Sequence, residues 1–117
     1  MSRRSDRVAG LLRAELSDLI LHRVKDPRVR MVSISTVDVN ADLTRAVIGI
    51  SALGDEEQRT HAVEALAHAS GFLRTQLSRR LRLRTAPELV FRLDRGAEHS
   101  LRISELLENL HAGDEPT

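Results

Sequence analysis

Between Arg74 and Arg95 the chain carries Arg74, Arg79, Arg80, Arg82, Arg84, Arg92 and Arg95 against only Glu88 and Asp94. A guanidinium is a planar fork of donors that keeps its charge at physiological pH and matches phosphate oxygens. Cations set along a helix and its exit can therefore track a polyanion backbone and give it a salt-dependent affinity. A solvated helix face is the plainer reading of such a run. A GC-rich genome would also account for Lys25 being the only lysine, but it does not account for the clustering. Arg84 and Arg92 have a second, structural option in pairing with Asp94 or Glu88.

Two smaller basic groups accompany the main one. Arg3, Arg4 and Arg7 stand before and at the start of the first helix, where cations oppose the helix dipole and gain nothing locally. A flexible arm reaching a polyanion explains them, and so does a frayed terminus. Lys25 and Arg28 flank Asp26-Pro27, where the first two elements meet.

Other chemistry finds little support. His61 and His68 stand seven apart and His22, His99 and His111 are scattered, none with the spacing of a zinc site, and there is no cysteine. No nucleophile elbow, Walker loop or dinucleotide fingerprint is present, and no carboxylate pair is singled out. The expectation is a non-enzymatic protein with no metal, no cofactor and no small-molecule substrate. No apolar run approaches the length of a bilayer span, and Arg3, Arg4 and Arg7 do not resemble the start of a signal peptide. A cytoplasmic protein without a membrane partner is expected. The charge balance of +1 hides a polarised chain, for beyond Gly96 the acids Glu98, Glu105, Glu108, Asp114 and Glu115 face Arg102 alone.

The elements that must position these cations follow from periodicity. From Ser5, a candidate N-cap, Val8, Leu12, Leu16, Leu19 and Ile20 recur at helical spacing, and Asp26-Pro27 stops the helix. Val32 and Ile34 alternate with serines, whereas Val37 and Val39 continue with opposite parity, so a bulge near Thr36 is expected. Asn40-Ala41-Asp42 turns the chain into a second strand with Ala46, Ile48, Ile50 and Ala52. Asp55 and Gln58 have capping-box spacing, and Ala62, Val63, Leu66 and Ala69 mark the next helix.

Gly71 interrupts that pattern, which resumes with Phe72, Leu73, Leu77 and Leu81, so two helices joined at a kink are predicted, with Gly71 permitting the kink or a close helix approach. Pro87 ends the third helix by about Thr85, and Leu89, Phe91 and Leu93 alternate as a third strand. Phe72 and Phe91, the only aromatic residues, both read as core. Ser70 is a weak phosphate donor candidate, since a local carbonyl is its commoner partner. Leu101, Ile103, Leu106, Leu107 and Leu110 suggest a short last helix.

The order helix, strand, strand, helix, helix, strand makes an α+β domain with helices on one face of a three-stranded sheet. With the second and third strands parallel, the sheet is mixed and the topology is that of a type II K-homology domain. One such domain is expected over residues 1–112, with 113–117 a flexible C-terminal tail. At 117 residues a single core is the natural outcome.

Arg7-Val8, Asp26-Pro27-Arg28, Val37-Asp38-Val39 with Asp42-Leu43, Ala69-Ser70-Gly71-Phe72-Leu73-Arg74, and Leu83-Arg84 leading to Pro87-Glu88-Leu89, Phe91 and Asp94 together carry a family resemblance. In that order and spacing the chain resembles the ribosome-binding factor A family. The resemblance implies a bacterial assembly factor that binds the maturing free 30S subunit through 16S rRNA. It also implies a part in late maturation, 5′-end processing and adaptation to cold. The family replaces the Gly-x-x-Gly loop of ordinary K-homology domains with an Ala-x-Gly kink, here Ala69, Ser70 and Gly71. The expected RNA contacts are Arg74, Arg79, Arg80, Arg82, Arg84, Lys25, Arg28, Arg3, Arg4 and Arg7, in a protein expected to be monomeric. The competing reading is a protein-interaction module acting through the acidic C-terminal helix.

Overall fold

The computed structural model describes residues 3–95. They form α1 (Arg3–His22), a 3-10 turn (Pro27–Val29), β1 (Val32–Val39), β2 (Arg45–Ala52), α2 (Glu56–His68), α3 (Ser70–Leu81) and β3 (Glu88–Leu93). The strands lie in the order β1-β2-β3, with β1 antiparallel and β3 parallel to β2. This is the mixed sheet and type II K-homology arrangement expected from the order of elements. The last helix and the 113–117 tail fall outside the described residues.

On α1 the apolar stripe buries Leu12, Leu16, Leu19 and Ile20, with Val8 packed at its margin. Ser5 is not the N-cap. The helix begins at Arg3, because Arg3 and Arg4 are good helix formers that extend it backwards, and Ser5 becomes a buried residue of the first turn. At the far end Asp26 caps the 3-10 turn, its carboxylate accepting from the Arg28 N–H at 3.0 Å, and Pro27 presets the backbone of the first position. Val29 then plugs into the core.

The parity change in β1 is a bulge. Ile34 pairs with Ile50 and Thr36 with Gly49, leaving Ser35 as the extra residue. It keeps Val37 opposite Ile48 and Val39 opposite Ala46, on the face that Ile34 also lines. Across β2, Ile48 in turn pairs with Phe91 and Ala46 with Leu89, so aliphatic rows run across the sheet beneath the helices. On the other face the Ser35 hydroxyl donates to the Asp94 carboxylate at 2.6 Å, a bond from one edge of the sheet toward the other. A side chain at Gly49 would overlap the Thr36 hydroxyl and crowd that of Ser35, so the middle strand is bare where this crossing occurs.

Gly54, at φ 114°, swings the chain into the predicted capping box: Gln58 N–H donates to Asp55 at 2.8 Å and Asp55 N–H to Gln58 at 2.9 Å. The pivot between α2 and α3 is Ala69, whose N–H is shared by the Ala65 and Leu66 carbonyls, at 3.1 Å each. Gly71 serves no close approach within the described residues: it is exposed, its φ is not positive, and an added Cβ would meet nothing within 4 Å.

Leu66, Leu73 and Leu77 are fully buried with Ala62 and Ala65 beside them, but Phe72 is 41% exposed. Its neighbour Leu73 takes the core-facing position, and one step along a helix turns a side chain by about 100°. Phe91 is core as expected, 8% exposed. Truncating Leu66 or Leu77 to alanine in such a core would cost about 2–5 kcal/mol.

The third helix ends at Leu81, not near Thr85. Arg82 adopts the left-handed conformation, φ 53° and ψ 41°, and the N–H groups of Arg82 and Leu83 both fold back to the Ser78 carbonyl. The Ser78 hydroxyl accepts from Ala86 N–H at 3.2 Å, so one serine holds both the helix end and the loop that leads to β3.

Candidate nucleic-acid interface

Helix α3 runs antiparallel to α1. Near its end Arg80 donates to Glu15 at 3.0 Å and Asp18 at 2.6 Å, and near its start Phe72 lies against Arg23. That geometry decides which cations face outward.

Arg74 is half-buried and donates to two consecutive carbonyls, Ala86 at 3.0 Å and Pro87 at 3.1 Å, fixing the approach to β3. Arg80 ties two helices together, and the Arg80 guanidinium, helped by His22, holds the Asp18 carboxyl below its ordinary range. Arg28 grips Asp26 through two nitrogens, at 2.7 and 3.1 Å, and depresses the Asp26 carboxyl to about 2. These three candidates therefore already have work inside the fold.

Arg79, Arg82 and Arg84 are different. All three are exposed and make no side-chain hydrogen bond or ion pair among the described residues. They follow one another along the last turn of α3, its left-handed cap and the loop beyond. The anticipated pairing of Arg84 with Glu88 or Asp94 is not made, and Asp94 takes the Ser35 hydroxyl.

Arg84 and Arg4 line one cleft of about 480 Å³, with Val8, Asp42, Leu43, Thr44 and Arg74 completing much of its wall. The cleft thus joins the start of α1, the β1–β2 turn and the α3–β3 loop. Its shape depends on Leu43, held at φ 61°, and on a turn in which Asn40 and Asp42 accept from Thr44 N–H. Arg7 is exposed on α1 close by in sequence, while only the backbone of Arg3 is described.

Lys25 and Arg28 sit at the opposite end of α1, roughly 30 Å from Arg4 by the rise of a helix of that length. They neighbour the kink instead, for Asp26 feels the charge of His68 and Arg28 that of Glu64, both on α2. Within the kink, Ser70 is half-buried and makes no side-chain hydrogen bond among the described residues; the local carbonyl bond is Thr75 to Gly71, at 3.0 Å.

Two residues of this neighbourhood, Arg13 and Arg23, were not singled out from the sequence, and a third, Phe72, was read as core although it is exposed. Arg13 donates to the Ile34 and Ser35 carbonyls, both at 3.0 Å, and so clamps the bulge to α1. Arg23 stands over the Phe72 ring, 6.0 Å from its centroid. Phe72 did leave a signal: the buried stripe Leu66, Ala69, Leu73, Leu77 has no place for it.

The model of the ribosome-binding factor A family matches residues 4–107. The chain belongs to the ribosome-binding factor A family. A ribosome-binding factor A of Prochlorococcus marinus is 49% identical over 110 residues, covering 92% of this chain and 78% of that protein. The solution structure of a Thermotoga maritima protein assigned to ribosome-binding factor A superposes with a TM-score of 0.72 at 34% identity, over 82% of this chain and 92% of that one. A homology model of the Thermus thermophilus ribosome-binding factor A, fitted into an electron-microscopy map of its 30S complex, gives 0.64 at 28% identity, over 75% and 92%. No helix among the described residues is long and apolar enough to cross a membrane. The acidic C-terminal helix of the competing reading lies outside the described residues.

Proposed function

We propose that this protein is a non-catalytic, monomeric, cytoplasmic assembly factor that binds the free 30S subunit through 16S rRNA. In that role it supports late maturation of the subunit and processing of the rRNA 5′ end. The observation that carries the reading is the exposed run Arg79, Arg82 and Arg84, unpaired among the described residues, beside a cleft that Arg4 also lines. Cations that satisfy no carboxylate of their own fold are available to phosphate, and three in sequence suit a backbone. Membership of the family, and the Thermus thermophilus protein fitted on a 30S subunit, support the same partner. Arg4, Arg7 and Lys25 extend the proposed surface around α1, with Arg28 beside them although Asp26 already holds its guanidinium.

The test is a triple variant, Arg79→Glu, Arg82→Glu, Arg84→Glu, sedimented with free small subunits across a salt series. Arg80 is left alone because reversing it would set a third carboxylate against Glu15 and Asp18. The parent should comigrate selectively with the free subunit, more weakly as salt rises, and the folded triple variant should not. Undiminished binding by the variant would move the interface elsewhere. Binding to ribonuclease-stripped subunit proteins would favour the protein-interaction module.

A further inference from the structure

We propose that Phe72 is a stacking platform for one unpaired base of the bound RNA, flanked by Arg23, Lys25 and Arg79 for the adjoining phosphates. The inference rests on the RNA-binding reading above and adds a second contact at the kink. Phe72 is one of only two aromatic residues in the chain, and 41% of it remains exposed although the core lies one helical step away. The position beside it carries no side chain, since Gly71 is exposed and a Cβ added there would meet nothing within 4 Å beyond its own helix and chain neighbours. The side of the ring toward the kink is therefore not walled by a side chain at position 71. Arg23, at 6.0 Å from the ring centroid, stands at the outer limit of cation–π reach and does not seal the ring.

The charge around the ring favours an anionic, aromatic partner over an apolar one. Arg79 lies two turns along α3 from Phe72, and Lys25 leaves α1 just beyond Arg23; neither has an ion-pair partner among the described residues. Toward that end of α1 and in the turn beyond it, Asp18 is engaged by Arg80 and His22 and Asp26 by Arg28. A flat ring with guanidinium and ammonium groups around it is how single-stranded RNA is held by stacking and phosphate contact together. A protein partner burying the same ring would need apolar neighbours, and those on α3 here are Gly71 and Thr75.

Because the chain has neither tryptophan nor tyrosine, Phe72→Trp supplies a single fluorescent reporter at the platform itself. It would be titrated at low salt with single-stranded oligoadenylate and with an abasic ribose-phosphate chain of equal length and charge. Stacking predicts saturable quenching by oligoadenylate alone. Equal quenching by both, or binding of oligoadenylate with unchanged emission, overturns the proposal. In subunit sedimentation, Phe72→Leu keeps the apolar bulk and removes the ring, and should weaken binding roughly 5- to 150-fold, the range spanned by losing one base–aromatic stack. Phe72→Trp should retain binding. If Phe72→Leu binds as the parent does, the platform is refuted while the arginine surface stands. If the parent itself does not comigrate with the subunit, the subunit reading fails, and the oligonucleotide titration still decides the platform.

Discussion

Replacing Arg82 with glycine should raise the stability of the fold and lower its affinity for RNA at the same time. Arg82 closes α3 at φ 53°, where a Cβ crowds the following carbonyl at a cost of about 1–2 kcal/mol that glycine does not bear. Glycine gives back about 0.4–1 kcal/mol through the greater freedom of its unfolded chain. The net gain is about 0.5–1 kcal/mol, or about 2–5 °C in the melting midpoint of a domain this size. The hydrogen bonds of the cap are unaffected, because the Arg82 and Leu83 N–H groups that reach Ser78 belong to the backbone. Removing one phosphate contact should also flatten the dependence of log affinity on log salt by about 0.7–1.

Arg82→Ala separates the two effects. It loses the guanidinium but keeps the Cβ in the left-handed region, so it should bind as weakly as the glycine variant without its gain in stability. Thermal melts followed by far-ultraviolet circular dichroism, with subunit sedimentation over a salt series, measure both quantities. A glycine variant no more stable than the alanine one would refute the strain argument. A parental salt slope in both would remove Arg82 from the interface.

Arg80→Glu should lower the melting midpoint where Arg79→Glu does not, because only Arg80 bridges to Glu15 and Asp18; equal midpoints would show that the bridge contributes nothing. Gly54→Ala should destabilise by about 1–2 kcal/mol in urea unfolding, since φ 114° is strained for alanine and the new Cβ crowds the Gln58 side chain of the capping box. Asp26, Asp18, Asp42 and Glu56 all have folded-state pKa values below their ordinary ones, each through hydrogen bonding, to Arg28, Arg80, Thr44 and Arg95 in turn. Depressed carboxylates stabilise the fold above their unfolded pKa, so stability should fall as pH drops from about 4 toward about 2, with Asp26 last to protonate. A urea midpoint that stays level through that window would contradict the linkage, and Asp26→Asn should flatten its lowest part.

Much of the fold was legible because it is written in local patterns. The parity switch between Ile34 and Val37 announced the bulge, and Asp55 with Gln58 announced the capping box. What escaped depends on contacts distant in sequence or on backbone geometry that residue type does not reveal. Nothing in Arg13 says that it will cover the carbonyls of a bulge some twenty residues later. An arginine gives no sign that it will end a helix in the left-handed region, so Arg82 was assigned to a helix running on to about Thr85. Ser5 failed as a cap because the residues before it also favour helix. The expectation for Phe72 failed differently: its neighbour Leu73 completes the stripe from Leu66, and the two cannot both face the core.

The basic cluster was legible as a cluster, but its division of labour was not, and that division bears on how the interface is read. Arg74 holds the entry to β3, Arg80 joins α3 to α1, and Arg95 pairs with Glu56. Each would be needed in a chain that bound nothing. Arg79, Arg82 and Arg84 make no such contact among the described residues, and Arg82 occupies a left-handed backbone position that favours glycine. Folding alone gives no reason for a long cationic side chain at that point. Strain held at an exposed site, next to two further unpaired cations and a cleft, is what a fold tolerates when the side chain acts on something outside it. The same logic extends to Phe72, left in solvent beside a glycine that the kink itself does not require.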